Sequence, residues 1–132
     1  MFELDGNTIV SNDFELEVPE DFYVDVSGEG LVRVQNYSVA LDYMSEGEFF
    51  MWLNHSETVP NFSETYATTE ATTYQGHEVF KGDRAGVKSL SNDEAVDRGY
   101  YFTDSKIVIT IFPHDQEGLE AAEVLLSTIS WK

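Results

Sequence analysis

The chain has 132 residues, with 25 Asp and Glu against 7 Lys and Arg, a formal net charge of −18, and no cysteine. An apolar fraction of 42% with 14% aromatic residues excludes a disordered tail, the length suits one domain around one core, and no apolar run approaches the ~20 residues that span a bilayer. So acidic a surface repels phosphate backbones and anionic headgroups, which argues against nucleic acid and membrane surfaces, while the lack of cysteine removes disulfides and thiolate metal sites.

The charge admits two readings, a solvating acidic coat or attraction to a basic protein partner. The chain opens Met1-Phe2-Glu3-Leu4-Asp5, with neither a basic start nor an apolar segment of signal-peptide type. That start fits a cytoplasmic protein, or an exported one whose leader has been removed.

In chain order, Thr8-Ile9-Val10 and Phe14-Glu15-Leu16-Glu17-Val18 flank Asn12-Asp13. The second run alternates as a half-buried strand does, and Pro19-Glu20-Asp21 breaks it. Phe22, Val24 and Val26 alternate again up to a turn at Gly28-Glu29-Gly30. Leu31 to Val34 and Val39 to Tyr43 complete an antiparallel meander. Ser45-Glu46-Gly47-Glu48 has the capping-box pattern, which predicts a helix running through Phe49-Phe50-Met51-Trp52-Leu53 toward His55.

Residues 57 to 66 read as irregular structure or one helical turn, broken at Pro60, and Ala67 to Tyr74 as a Thr-rich edge or solvent-facing strand. Gly76 turns the chain into the strand His77 to Lys81; Gly82 and Gly86 are turn or bulge positions, and Val87 to Ser91 is another strand. Arg98 to Phe102 and Lys106 to Phe112 form a hairpin. The second of these is apolar on both faces, as a central strand is. After Pro113, Asp115 caps a closing helix with Leu119, Ala122, Leu125, Leu126 and Ile129 on its core face and Glu117, Glu120 and Glu123 elsewhere. The expected fold is α+β: a mostly antiparallel β-sheet sandwich of about eight strands with about two helices packed on it, in a single domain over 1–132.

Several stretches together resemble PsbP-like domains: Phe14 to Glu20, a helix after the first meander, Gly76 to Phe80, the aromatic hairpin, and Ala122 to Trp131 as a closing helix that runs to the end of the chain. That superfamily includes a photosystem II extrinsic subunit, a Ran-binding import factor and small prokaryotic lipoproteins. The resemblance implies a fold only; its members mostly act by binding other proteins, which inclines the expectation toward a non-enzymatic, protein-binding or accessory role, the soluble part of a lipoprotein being one form of it. It carries over no functional residue.

The residues themselves name no catalytic set, metal site or cofactor. There is no Gly-x-Ser-x-Gly elbow, and Gly28-Glu29-Gly30 puts an acid where a phosphate loop would need none. His55, His77 and His114 are single and lack the i, i+4 spacing of a helical zinc pair, and Asp93, Glu94 and Asp97 do not fit a calcium loop. A small hydrolase or metal-dependent enzyme using one histidine with acidic neighbours, such as His77-Glu78 or His114-Asp115, is the rival reading. The candidate binding residues are Phe50 and Trp52, because five large apolar groups in a row on a helix cannot all face one core. The alternative is that the segment holding Phe62 and Tyr66 folds over them. Three acceptor sequons, at Asn36, Asn54 and Asn61, would matter only in an exported chain.

Overall fold

The computed structural model describes residues 2–27, 30–38, 44–58, 68–85 and 96–132. Four strands, β1 (Glu3–Asp5), β2 (Thr8–Val10), β3 (Phe14–Glu17) and β11 (Ser130–Trp131), form a small antiparallel sheet in the order β1-β2-β3-β11. Seven more form the main antiparallel sheet: β4 (Tyr23–Val26), β5 (Val32–Gln35), β6 (Phe49–His55), β7 (Thr68–Tyr74), β8 (His77–Ala85), β9 (Val96–Phe102) and β10 (Ile107–Pro113), in the order β4-β5-β6-β10-β9-β8-β7. Among the described residues there is one helix, α1 (Gln116–Leu126), and it lies over β10 and β6.

The expected α+β class with about two helices is therefore corrected: the fold is mostly β, two antiparallel sheets with a single described helix. The helix predicted from Ser45 to His55 is strand β6. A strand disposes of five large apolar residues in a way a helix cannot. Phe49, Met51 and Leu53 point into the core, and Phe50 and Trp52 point to the opposite face. The capping-box contact does form, with the Ser45 N–H donating to the Glu48 carboxylate. Here it closes a turn instead, with Gly47 at φ +77°, and the chain leaves that turn extended.

Strand β10 is central, as its two apolar faces required. It pairs β6 from Ile107↔His55 to Pro113↔Phe49, and β9 from Ile107↔Phe102 to Ile111↔Arg98. Asp115 caps α1 by accepting from the Gly118 N–H at 2.8 Å. Its carboxylate also accepts from the Gly47 N–H at 3.1 and 3.2 Å, so one side chain fastens the helix to the turn before β6. The helix does not run to the end of the chain. The Ser127 and Thr128 hydroxyls donate to the carbonyls of Val124 and Leu125, ending the helical ladder, and Ser130–Trp131 then pairs with β3.

One core joins the sheets and the helix. Ile9, Phe14 and Leu16 from the small sheet meet Val32, Val34, Phe49, Met51, Leu53, Ile109 and Ile111 from the main one, with Leu119, Ala122, Leu125 and Leu126 from α1. Gly82, expected at a turn or bulge, sits in regular ladder opposite Gly99. The strand expected over Val39 to Tyr43, the one over Val87 to Ser91, the break at Pro60 and the turn glycine Gly86 lie outside the described residues.

Candidate binding surface

The face of the main sheet turned away from α1 carries an alternation of aromatic and cationic groups. Phe50 stacks on Phe112 at 4.9 Å between centroids and 20° between planes. The Arg33 guanidinium sits 4.3 Å over the Phe50 ring and 5.2 Å from that of Trp52, and Arg84 lies 5.8 Å over Phe112. Contacts of this kind hold an arginine against a ring by its quadrupole. Of the two candidate binding residues, Phe50 is only 7% exposed, packed with Tyr37 and Met44, and Trp52 is half-buried beside it. Phe62 and Tyr66, the expected cover, lie outside the described residues. On the same face Asp97 is 1% exposed. Burial raises its carboxyl to a pKa of about 6, against the opposing pull of Arg84 at 3.3 Å.

The face under α1 holds a second polar group. Arg98 reaches Asp83 through two nitrogens, at 2.8 and 3.2 Å, and Glu123 of the helix at 3.3 Å. The Tyr100 hydroxyl donates to the same Glu123 oxygen at 2.7 Å. The hydrogen bonds to Asp83 hold the Arg98 guanidinium charged, and burial pushes the Tyr74 hydroxyl up to about 12. Arg98, Asp83, Tyr100 and Glu123 satisfy one another and tie α1 to β8 and β9.

The histidines are dispersed. His77 Nδ1 lies 2.7 Å from Asp104 Oδ2, a contact that holds the Asp104 carboxyl below its usual range. The His77 ring packs on Trp131 at 4.1 Å, and Trp131 Nε1 donates to Gln75 at 2.7 Å. His55 stands 3.6 Å from Glu57. The His114 N–H donates to the Glu48 carbonyl at 2.9 Å. Among the described residues no three His, Asp or Glu side chains come together as a metal site. Of the residues weighed for a calcium loop, Asp97 sits in β9, while Asp93 and Glu94 lie outside the described residues.

The sequons divide as well. Both atoms of the Asn36 amide are engaged: Nδ2 donates to Gly47 O at 3.0 Å and Oδ1 accepts from the Phe49 N–H at 2.8 Å. Asn54 is half-buried on β6, and Asn61 lies outside the described residues.

Strand β7 stands at one end of the main sheet, and among the described residues no strand pairs along its other side. Thr69 to Thr73 are exposed in an unbroken run that contains no proline and one charge, Glu70. Its hairpin with β8 turns over two residues, Gln75 at φ 51° and Gly76 at φ 83°. That is the geometry of a type I′ turn, whose flanking residues exchange both backbone hydrogen bonds. Tyr74 and His77 are those flanking residues. Alternation back along the strand then turns the N–H and C=O of Thr69, Ala71 and Thr73 away from β8, toward the side on which no described strand pairs.

A groove flanks β7 on each face. The outer one, of about 360 Å³, is lined by Ala71, Thr73, Glu78, Phe80 and Thr103 among others. The one on the α1 side, of about 270 Å³, is lined by Thr69, Glu70, Lys81 and Asp83.

The Thr-rich composition of residues 67 to 74 signalled an edge strand. The direction of its free backbone groups was carried by Gln75-Gly76, a pair whose turn type was not read from the sequence. Arg33 was the other missed residue; a lone basic group within Leu31-Val32-Arg33-Val34 was its only signal.

No helix among the described residues is long and apolar enough to cross a membrane. No protein-family model, curated protein or solved structure matches the chain.

Proposed function

We propose that this chain is a non-enzymatic protein-binding domain that takes up an extended segment of another protein along β7. The observation that carries the reading is the exposed run Thr69–Thr73 at the sheet edge, with backbone donors and acceptors directed outward and a groove on either face. Strand addition to such an edge gains main-chain hydrogen bonds for affinity and uses alternate side-chain positions for specificity. An edge of this kind is a hazard unless managed, and a net charge of −18 resists pairing between copies of the chain.

The PsbP-like resemblance points the same way, because the members named above act mostly by binding proteins. Two of its marks have changed character: the helix after the meander is β6, and Trp131 belongs to β11 rather than to the closing helix. The rival enzymatic reading has one observation in its favour, the His77–Asp104 contact, and it needs a third group beside that pair. Phe50 and Trp52 serve the binding reading less directly than β7 does, since Phe50 is packed into the outer-face cluster.

The test is selection from a random-peptide phage library on the wild-type domain, followed by binding of the enriched peptides to Ala71→Pro. Proline at position 71 removes an N–H that points to the open edge and leaves the β7–β8 ladder intact. Enriched peptides that bind the wild type and fail on a folded Ala71→Pro are expected. Peptides that bind both equally would place recognition elsewhere.

A further inference from the structure

We infer, building on the edge-strand reading above, that the segment β7 accepts is an alternating one, with apolar side chains over the outer groove and basic side chains toward α1. The register of strand addition decides the alternation. Partner residues standing directly opposite Thr69, Ala71 and Thr73 place their side chains on the same face as those residues, in either strand direction. That is the face where Ala71 and Phe80 offer apolar surface beneath the edge. The intervening partner residues fall on the opposite face, where Glu70 stands exposed at the rim of the groove that Asp83 also lines.

Asp83 is committed to Arg98 and Lys81 lies on the β8 side of Glu70, so the carboxylate nearest an added strand on this face is the exposed Glu70 at the groove rim. On the other side of the hairpin Glu78 is exposed as well, so an acidic partner meets repulsion on both faces. The surrounding excess of carboxylates steers a basic segment toward the edge and hinders an acidic one, an effect that salt weakens.

The experiment uses the whole chain and three capped peptides of about seven residues, alternating valine with lysine, serine or glutamate, titrated calorimetrically at low and high salt. The lysine–valine peptide is expected to bind at least tenfold more tightly than the serine–valine peptide, which corresponds to ~1.4 kcal/mol, and the glutamate–valine peptide not to bind. Glu70→Lys should remove most of that preference while the serine–valine affinity stays unchanged. Ala71→Pro should abolish binding of both peptides.

Equal affinity for lysine–valine and serine–valine, both lost in Ala71→Pro, would overturn the charge assignment and leave edge-strand binding standing. Lysine–valine binding that survives Ala71→Pro would be adhesion to an acidic surface, and binding by none of the peptides would give the edge no such ligand. Either result overturns the inference. So would sedimentation showing a peptide-free dimer that Ala71→Pro converts to monomer, which would assign the edge to a second copy of the chain.

Discussion

Substituting Gly118 by alanine sets two physical effects against each other, and the fold decides which prevails. Gly118 lies in the first turn of α1, where helix propensity alone favours alanine over glycine by about 1 kcal/mol. A Cβ built there would stand 2.3 Å from the Glu48 carbonyl oxygen and 3.0 Å from its carbon. Both are backbone atoms, so no rotamer change relieves the overlap. Restoring contact distance requires the helix start and the 45–48 turn to part by about 1 Å, and overpacking of this kind costs about 1–3 kcal/mol or more. The same displacement stretches the His114 N–H bond to Glu48 O, at 2.9 Å, and the Asp115 contacts to Gly47. Those bonds are worth about 1 kcal/mol each. Gly118→Ala is therefore expected to destabilise the domain by about 1–3 kcal/mol net of propensity, lowering the urea midpoint by roughly 0.5–1.5 M for a slope near 2 kcal/mol/M. An unchanged or raised midpoint would refute the docking of α1 on the turn before β6, and with it the placement of residues 49–55 as a strand beneath that helix.

Proline scanning of β7 should alternate. Ala71→Pro keeps the thermal midpoint within a few degrees, whereas Thr72→Pro, whose N–H bonds to β8, lowers stability by about 3 kcal/mol or more; equal losses would contradict the strand's orientation. Asp97 should make stability pH-dependent in a definite direction. Its folded pKa of about 6 lies above the ordinary value of 3.8, so its contribution is full below pH ~4 and is lost as pH rises through ~6. The unfolding free energy of Asp97→Asn minus that of wild type should therefore grow between pH 4 and pH 7, by at most about 3 kcal/mol. A difference that stays flat in urea melts would contradict the burial of an ionised carboxylate. Phe50→Ala should cost about 3–4 kcal/mol as a buried ring lost from its stack, and Trp52→Ala about half that, since its ring is half-buried. Unfolding curves that rank them the other way would contradict the deeper burial of Phe50. Tyr100→Phe should cost about 1–3 kcal/mol for the hydrogen bond to charged Glu123, read from the same urea melts; no loss would separate α1 from β9.

Much of the architecture could be read from periodicity. The central position of β10 followed from apolar residues on both its faces, and the Asp115 cap and the stripe Leu119–Ala122–Leu125–Leu126 gave α1 its start and inner face. The error over residues 45–55 has a local cause. A capping-box contact and five consecutive large apolar residues suit the start of a buried helix, yet they equally suit a turn followed by a strand covered on both faces. The choice was made by pairing with β5 and β10, which are distant in sequence. The end of α1 was missed because Ser127-Thr128 is a weak stop in sequence, and only its hydroxyl bonds to Val124 and Leu125 show why the helix closes there. On the candidate site, sequence placed Phe50 and Trp52 together but not with Arg33 and Phe112, whose meeting depends on strand register. The edge character of β7 was legible in its threonines. Which of its amides face outward follows from the turn at Gln75-Gly76.

Amide hydrogen exchange along β7, measured by NMR in the free domain and with a saturating edge-binding peptide, addresses the binding account most directly. Glu70 and Thr72 should exchange slowly in both states, while Thr69, Ala71 and Thr73 exchange fast in the free domain and become protected on binding. Peptide binding that leaves those three amides unprotected would contradict strand addition at β7.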